Sequence, residues 1–278
     1  MANQIEDIIG ISNQARLIPV VSDSKKEERA TSILLAAFSI VPAFANDVLV
    51  EAGAKISPRS KIRCFTEVTF PIQDSDSKAR PDGLIVIKNG KTTWTALVES
   101  KVGTSDLTTE QVEKYLDVAK ANGIDAVITI SNQYATSPEH HPVKVSRVKT
   151  RYVGLFHFSW TSILSRAYVS SESKAINDPE QAFIIKEIVR YYSHDSSGVN
   201  AFTKLHGQWK DACETIHNQG SLTKTSDIVQ NSVSSWIQLT KYLSLKLSML
   251  TQSTVNVVLT RRWKNNYADY FSDSCDEL

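Results

Sequence analysis

The sequence predicts an α/β fold in which a mixed central sheet is flanked by helices and followed by a smaller, mainly helical C-terminal module. Three stretches carry that expectation. RPDGLIVIKNGKTTWTALVESK (80–101) reads as a hairpin of two alternating runs, LTTEQVEKYLDVAKANG (107–123) as a capped helix, and DAVITIS (125–131) as a strand covered on both faces. Strand, helix, strand in that order makes a parallel crossover beside the antiparallel hairpin.

The elements follow in order. Residues 1–22 form a lead-in without a motif. Ala30, Leu34, Ala37, Phe38 and Val41 recur at helical spacing, giving an amphipathic helix from Lys25 to about Ala45 that Pro42 disturbs near its end. RCFTEVTFPI (63–72) alternates and is rich in β-branched and aromatic residues, so it reads as a strand. After the hairpin, Thr108 caps and Gly123 ends the next helix, with Leu107 and Val112 placed as a hydrophobic staple. A further strand at 152–160 and helices near 161–169 and 180–193 complete a domain spanning 23–195. Polar HDSSGVN (194–200) marks the boundary to an accessory module, 196–278. That module is expected to hold a long helix (226–250), a short strand VNVVL, a basic-aromatic RRWKNNY whose Trp263 suits base stacking, and a frayed acidic tail FSDSCDEL.

Composition narrows the function classes. The chain has 278 residues, 41% of them hydrophobic, enough for a sizeable core. With 31 basic and 30 acidic residues the net charge is +1, so any nucleic-acid contact must rest on local patches. Cys64, Cys213 and Cys275 are scattered without a CxxC, which argues against a disulfide framework and a thiolate zinc site. No HExxH, GxxxxGK, GxGxxG or GxSxG occurs, removing zinc-protease, NTP-hydrolysing, dinucleotide and lipase-like readings. The longest apolar run, 33–45, contains Pro42 and is too short for a bilayer, so the expectation is a cytoplasmic protein without a membrane partner.

In the hairpin, a type I′ turn centred on Asn89-Gly90 puts Lys88 opposite Lys91, Val86 opposite Thr93 and Asp82 opposite Leu97. Asp82, Leu97, Glu99 and Lys101 then share one face, while Ile85, Ile87, Trp94, Ala96 and Val98 form a core face. Glu99 becomes a diagonal neighbour of Asp82, roughly 7 to 8 Å away, close enough for both carboxylates to reach one small ion. Without such an ion they repel, and one pKa must rise. Mg²⁺ resolves the conflict, since it takes one or two carboxylates plus waters and phosphate oxygens. The competing reading is a set of solvated strand-end charges.

RPDG followed by ALVESK, with its glutamate seventeen residues after the aspartate, resembles the PD-(D/E)xK nuclease superfamily over roughly residues 25–195. Gln111 and Tyr115, four apart on the next helix, are similar to its RecB-like branch. EERATSILLAAF, FTEV, RPDG and Ser131-Asn132-Gln133 resemble bacterial stress-response or defence-type members. The resemblance implies a restriction-endonuclease-like core and a metal-dependent nuclease, with DNA as the favoured substrate. It implies that Asp82 and Glu99 bind Mg²⁺ or Mn²⁺, that Ser100 lends its main-chain carbonyl, and that Lys101 positions the attacking water. Many members add a glutamate from the first helix. Glu27 fits that role better than Glu28, since it lies three and seven residues before Ala30 and Leu34.

Several roles stay open. Gln111 and Tyr115 suit phosphate contact or support of the lysine, but Thr108 and Gln111 equally satisfy a capping box and Tyr115 a helix core. Glu67 either joins the acidic cluster or faces solvent. Lys144 and Arg147, with Lys149 and Arg151, suit phosphate contacts or form a solvated basic loop. His140 and His141 read as loop residues. A homo-oligomer or a partner protein is compatible with the chain, and the alternative to an enzyme is a catalytically silent nucleic-acid-binding or assembly module.

Overall fold

The computed structural model describes residues 2–10, 12–71, 78–135, 137–172, 175–199, 202 and 205–278, without the side chains of 2–4, 265 and 267. In chain order the elements are α1 (Ala2–Gly10), β1 (Asn13–Gln14), α2 (Lys26–Ile40), α3 (Pro42–Leu49), β2 (Lys61–Thr66), β3 (Phe70–Pro71), β4 (Lys78–Ala79), β5 (Gly83–Asn89), β6 (Thr92–Ser100), α4 (Thr109–Ala121), β7 (Ala126–Ser131), β8 (Gly154–Ser159), α5 (Trp160–Glu172), α6 (Pro179–Tyr192), α7 (Gln208–His217), α8 (Asp227–Thr251), α9 (Arg261–Asn265) and α10 (Tyr267–Glu277).

Six strands form one mixed sheet in the order β1-β2-β5-β6-β7-β8. The pairs from β1 to β6 are antiparallel, and β6-β7-β8 are parallel. The β6-α4-β7 crossover is the one the sequence predicts. Because both faces are covered, β5 and β6 bury alternate residues on opposite sides. Ile85, Ile87, Ala96 and Val98 join Leu34, Phe38, Phe44 and Trp160 beneath α2, α3 and α5. Leu84, Val86 and Leu97 join Ile8, Val112 and Leu116 beneath α1 and α4. Each such side chain contributes about 1.5 to 3 kcal/mol on burial. A third, small core of Val229, Val233, Ile237, Tyr270 and Cys275 holds α8 and α10 together.

Local chemistry explains the element ends. The predicted first helix breaks at Val41, and Pro42 opens α3 as its first residue, where a missing N–H costs nothing. Among the described residues no single helix is long and apolar enough to cross a membrane, and α2 and α3 pass only as a pair bent by 112°. Thr108 caps α4 by accepting from the Gln111 N–H, and Gly123 leaves the helix at φ 64°.

Four expectations need correction. The hairpin turn centres on Gly90-Lys91, since Asn89 pairs with Thr92 and Lys88 with Thr93. Gly90 alone takes a positive φ there, 61°, the pattern of a turn with glycine first. Asn89 stays in the strand because its side chain accepts from Ser57 Oγ at 3.0 Å and donates to the Lys55 carbonyl at 3.4 Å. The two-residue slip preserves the faces and moves Asp82 level with Glu99 rather than diagonal to it. The strand expected over 63–72 divides at Glu67, whose φ of 58° turns the chain out of β2; Ile72 lies outside the described residues. VNVVL forms no strand and pairs with none among the described residues, and the Val255 N–H bonds Ser248 Oγ instead. FSDSCDEL is helical as far as Glu277, with Cys275 buried in the third core.

Candidate active site

Glu27, Asp82, Glu99, Ser100, Lys101, Gln111 and Tyr115 converge at the end of β6. The ladder between β5 and β6 ends at Gly83 opposite Val98, and beyond it the Asp82 carboxylate takes over. Asp82 Oδ2 accepts from the Ser100 N–H at 2.7 Å, and Ser100 Oγ lies 3.2 Å from it. Gly83 beside it permits a close approach of α2. A Cβ there would lie 2.3 Å from Leu35 Cδ1 and 3.1 Å from the Phe65 carbonyl.

Glu99 is 2% exposed. Its Oε1 accepts from Lys101 Nζ at 2.8 Å and from Gln111 Nε2 at 2.5 Å, while its Oε2 is buried without a partner. Burial, and then the Asp82 charge, push the Glu99 carboxyl up to about 7. Asp82 is also raised, by burial above all. Lys101 loses some basicity to burial, but its bond to Glu99 and the charges of Glu99, Glu27 and Asp82 outweigh that and hold it protonated. Glu27 Oε2 accepts from Lys101 Nζ at 3.3 Å, so α2 delivers its glutamate to the cluster. Glu28 turns away and pairs with Lys25 at 2.7 Å.

Both open readings of α4 resolve into one arrangement. Thr108 caps through the Gln111 main chain, but the Gln111 side chain goes to Glu99 instead of back to the cap. Tyr115 is 6% exposed, and its hydroxyl donates to the Arg80 carbonyl at 3.3 Å. Burial first and the Glu99 charge second hold that phenol well above its ordinary range.

Other candidates lie elsewhere. Glu67 pairs with Arg80 and accepts from Asn13 Nδ2 at 2.8 Å, outside the cluster. Lys144 and Arg147 are exposed on the loop beside α4 and do not touch the carboxylates. Trp263 donates to Asp273 Oδ2 at 2.8 Å and packs on Tyr270, and Arg262 is bound by Asp269 and Asp273, so that expected base platform is taken up by α10.

Three supporting groups escape a reading of the sequence alone. Thr31 Oγ1 lies 2.5 Å from Ser100 Oγ and donates to the Glu27 carbonyl at 2.8 Å. Trp160 Nε1 donates to the Lys101 carbonyl at 2.9 Å. Asn132 donates to the Gly103 and Gly198 carbonyls at 3.0 and 3.1 Å, tying the loop after Lys101 to the segment after α6. A visible signal existed only for Thr31, a hydroxyl one turn after Glu27 inside an apolar helix.

Among the described residues no three His, Cys, Asp or Glu side chains form a ready-made metal cage. Two carboxylates with one unpartnered buried oxygen are nevertheless a donor set that fits Mg²⁺, which keeps several waters of its own. No protein-family model matches the chain, and no curated protein matches it.

Proposed function

We propose that this chain is a metal-dependent nuclease of the PD-(D/E)xK type with a restriction-endonuclease-like core, acting on nucleic acid, DNA foremost, in the cytoplasm in a stress-response or defence role. One observation carries the reading: a carboxylate sealed from water keeps one oxygen unpartnered beside a second carboxylate and a protonated lysine. Such an arrangement is costly for stability alone, since an unsatisfied buried polar group costs about 1 to 3 kcal/mol or more.

Asp82, Glu99 and the Ser100 main chain would hold Mg²⁺ or Mn²⁺, which when bound supplies Lewis-acid charge to a phosphodiester and its attacking water. The chain's own residues do the rest. Lys101 places a fixed ammonium where negative charge develops on the phosphate and orients the water. Glu27 and Glu99 hold that ammonium from two sides, and Gln111 fixes the Glu99 carboxylate.

The second reading, a silent nucleic-acid-binding or assembly module, draws on Lys101 itself, which already pairs with both Glu99 and Glu27 without any metal ion. Incubation with linear and circular DNA and RNA, in Mg²⁺, Mn²⁺ or EDTA, separates the two. The expected result is hydrolysis that needs a divalent cation and falls about a hundredfold or more in Asp82→Ala and Glu99→Gln. Binding that is metal-independent and unchanged in Asp82→Ala, with no cleavage by any form, overturns the enzyme.

A further inference from the structure

In the loop between β7 and β8, the ten residues Val143 to Tyr152 run parallel to α4 and are fastened to it at four levels. Thr109 Oγ1 donates to the Lys144 carbonyl at 3.2 Å, and the Ser146 N–H donates to Glu113 Oε1 at 2.9 Å. Lys149 pairs with Asp117, and Lys120 Nζ sits 5.2 Å from the centre of the Tyr152 ring. The strap therefore starts beside the helix end that carries Gln111 to Glu99 and finishes at the far end of the same helix. The eleven helical steps from Thr109 to Lys120 span about 16 Å.

Within the strap, VKVSRVKTR carries four basic residues and no acid. Two of the acids on the facing side of α4, Glu113 and Asp117, are turned to holding it. Only Lys149 is spent in return; Lys144, Arg147 and Arg151 form no ion pair among the described residues. At the end stands Tyr152, 64% exposed, with Arg151 5.5 Å from its ring centre on top of the Lys120 contact. An ordered file of cations ending in an exposed aromatic combines backbone attraction with a stacking face, the pairing that single-stranded nucleic acid needs. A duplex fits less well, because its bases are already stacked and its two backbones need two rails separated by a groove.

We propose that the Val143–Tyr152 strap on α4 is a track for single-stranded nucleic acid, leading the strand from Tyr152 toward the carboxylate cluster. At about 3.4 Å per nucleotide of stacked strand the track accommodates about five nucleotides. Lys144, Arg147 and Arg151 take phosphates without reading sequence, and Tyr152 stacks on a base. The proposal rests on the reading of the site as one that takes nucleic acid, but not on its turnover.

The test is equilibrium binding of the full chain in EDTA, where cleavage is not measured. Fluorescein-labelled oligo-dT and oligo-U of 4, 8 and 12 nucleotides are titrated by anisotropy at several salt concentrations, beside a duplex and poly-glutamate. Single strands of eight or more are expected to bind tighter than four, and tighter than the duplex. The combined variant Lys144→Ala, Arg147→Ala, Arg151→Ala should flatten the slope of log K against log salt by about 2, at about 0.7 per lost phosphate contact. Tyr152→Ala should weaken binding about 5- to 100-fold with the slope kept, and Tyr152→Phe should restore it. A slope unchanged in the triple variant, full affinity in Tyr152→Ala, a preference for the duplex, or equal binding of poly-glutamate each overturns the track. Tight, salt-sensitive binding by a chain that never cleaves leaves the track standing and removes only the enzyme.

Discussion

Thr31 and Ser100, 69 positions apart, bring their hydroxyl oxygens to 2.5 Å with both side chains sealed from solvent. With the Thr31 hydrogen on the Glu27 carbonyl, Ser100 Oγ donates across the link while the Ser100 N–H holds Asp82, so both acidic arms of the site meet at one polar link between α2 and β6. Thr31→Val keeps the shape and removes the hydroxyl. It should cost about 1 to 3 kcal/mol in urea unfolding, and Thr31→Ser should recover most of that. If the link also positions the acids, the hydrolysis rate of the folded Val variant falls more than its binding. A stability loss with an unchanged rate assigns Thr31 to the fold alone.

Gly83 and Leu35 form the second prediction. With 2.3 Å between a built Cβ and Leu35 Cδ1, Gly83→Ala must displace the buried Leu35 side chain or the helix that carries it. The expected cost is about 1 to 3 kcal/mol. Leu35→Ala alone leaves a cavity, but combined with Gly83→Ala it should cost less than the sum, and a denaturation double-mutant cycle reads that coupling directly. Strict additivity would contradict the contact.

Much of this architecture is legible in the sequence because periodicity and punctuation agree. The β5-β6 face assignment survives a turn placed one residue wrong, since the resulting register slip of two leaves every side chain on its own face. Asn-Gly misleads about the turn for a tertiary reason: Ser57 and Lys55 hold the Asn89 side chain, which no local rule sees. The missing strand at VNVVL has a similar cause, because β-branched residues favour strands but a ladder needs a partner edge, and none pairs with it among the described residues. Acidic FSDSCDEL is kept helical by Cys275 and by Trp263 and Arg262 bonding back to Asp273 and Asp269.

In the site, the charged residues were readable and their supports were not. Asp82, Glu99 and Lys101 follow from strand parity, and Glu27 from helical phase. Asn132 and Trp160 are joined to them only through three-dimensional contacts between distant elements, and of the three supports only Thr31, one turn after Glu27, is marked by its spacing.

Trp160 offers a clean test of one such support. It is 1% exposed, its ring packs 5.2 Å from that of Tyr192, and its N–H satisfies the Lys101 carbonyl. Trp160→Phe keeps an aromatic on Tyr192 and leaves the carbonyl unpaired, for an expected loss of about 1 to 3 kcal/mol. Recovery of full stability by the phenylalanine variant would show that packing alone holds that turn.

His157, Thr129 and His141 supply the pH dependence. Thr129 is level with Glu99 on one side and with His157 on the other. The Gln133 carbonyl, 3.0 Å from His157 Nε2, only accepts, so that nitrogen carries the hydrogen and Nδ1 accepts from the Thr129 hydroxyl at 2.9 Å. Thr129 then accepts from His141 Nε2 at 2.8 Å, leaving His141 Nδ1 to accept from the Val143 N–H at 3.1 Å. Every polar hydrogen in the chain is committed, and both rings are neutral. Burial first, and for His157 also the neighbouring His141 ring, drives His157 down to about 3 and His141 to about 4 from an ordinary 6.5. The unfolded chain therefore binds protons that the folded one refuses. Stability from the pair is full above about 6.5 and is lost as the pH falls toward 4, by up to about 1.4 kcal/mol per pH unit for each ring. Glu99 opposes this trend, because its folded carboxyl, raised to about 7, holds a proton that the unfolded chain releases above 4.5. The difference between wild type and His157→Gln isolates the histidine: urea unfolding should lose close to one proton of slope in the variant near pH 5 and almost none at pH 7.5. Identical slopes would mean that His157 is already protonated in the folded protein, or that its burial is relieved by opening of the 133–143 loop.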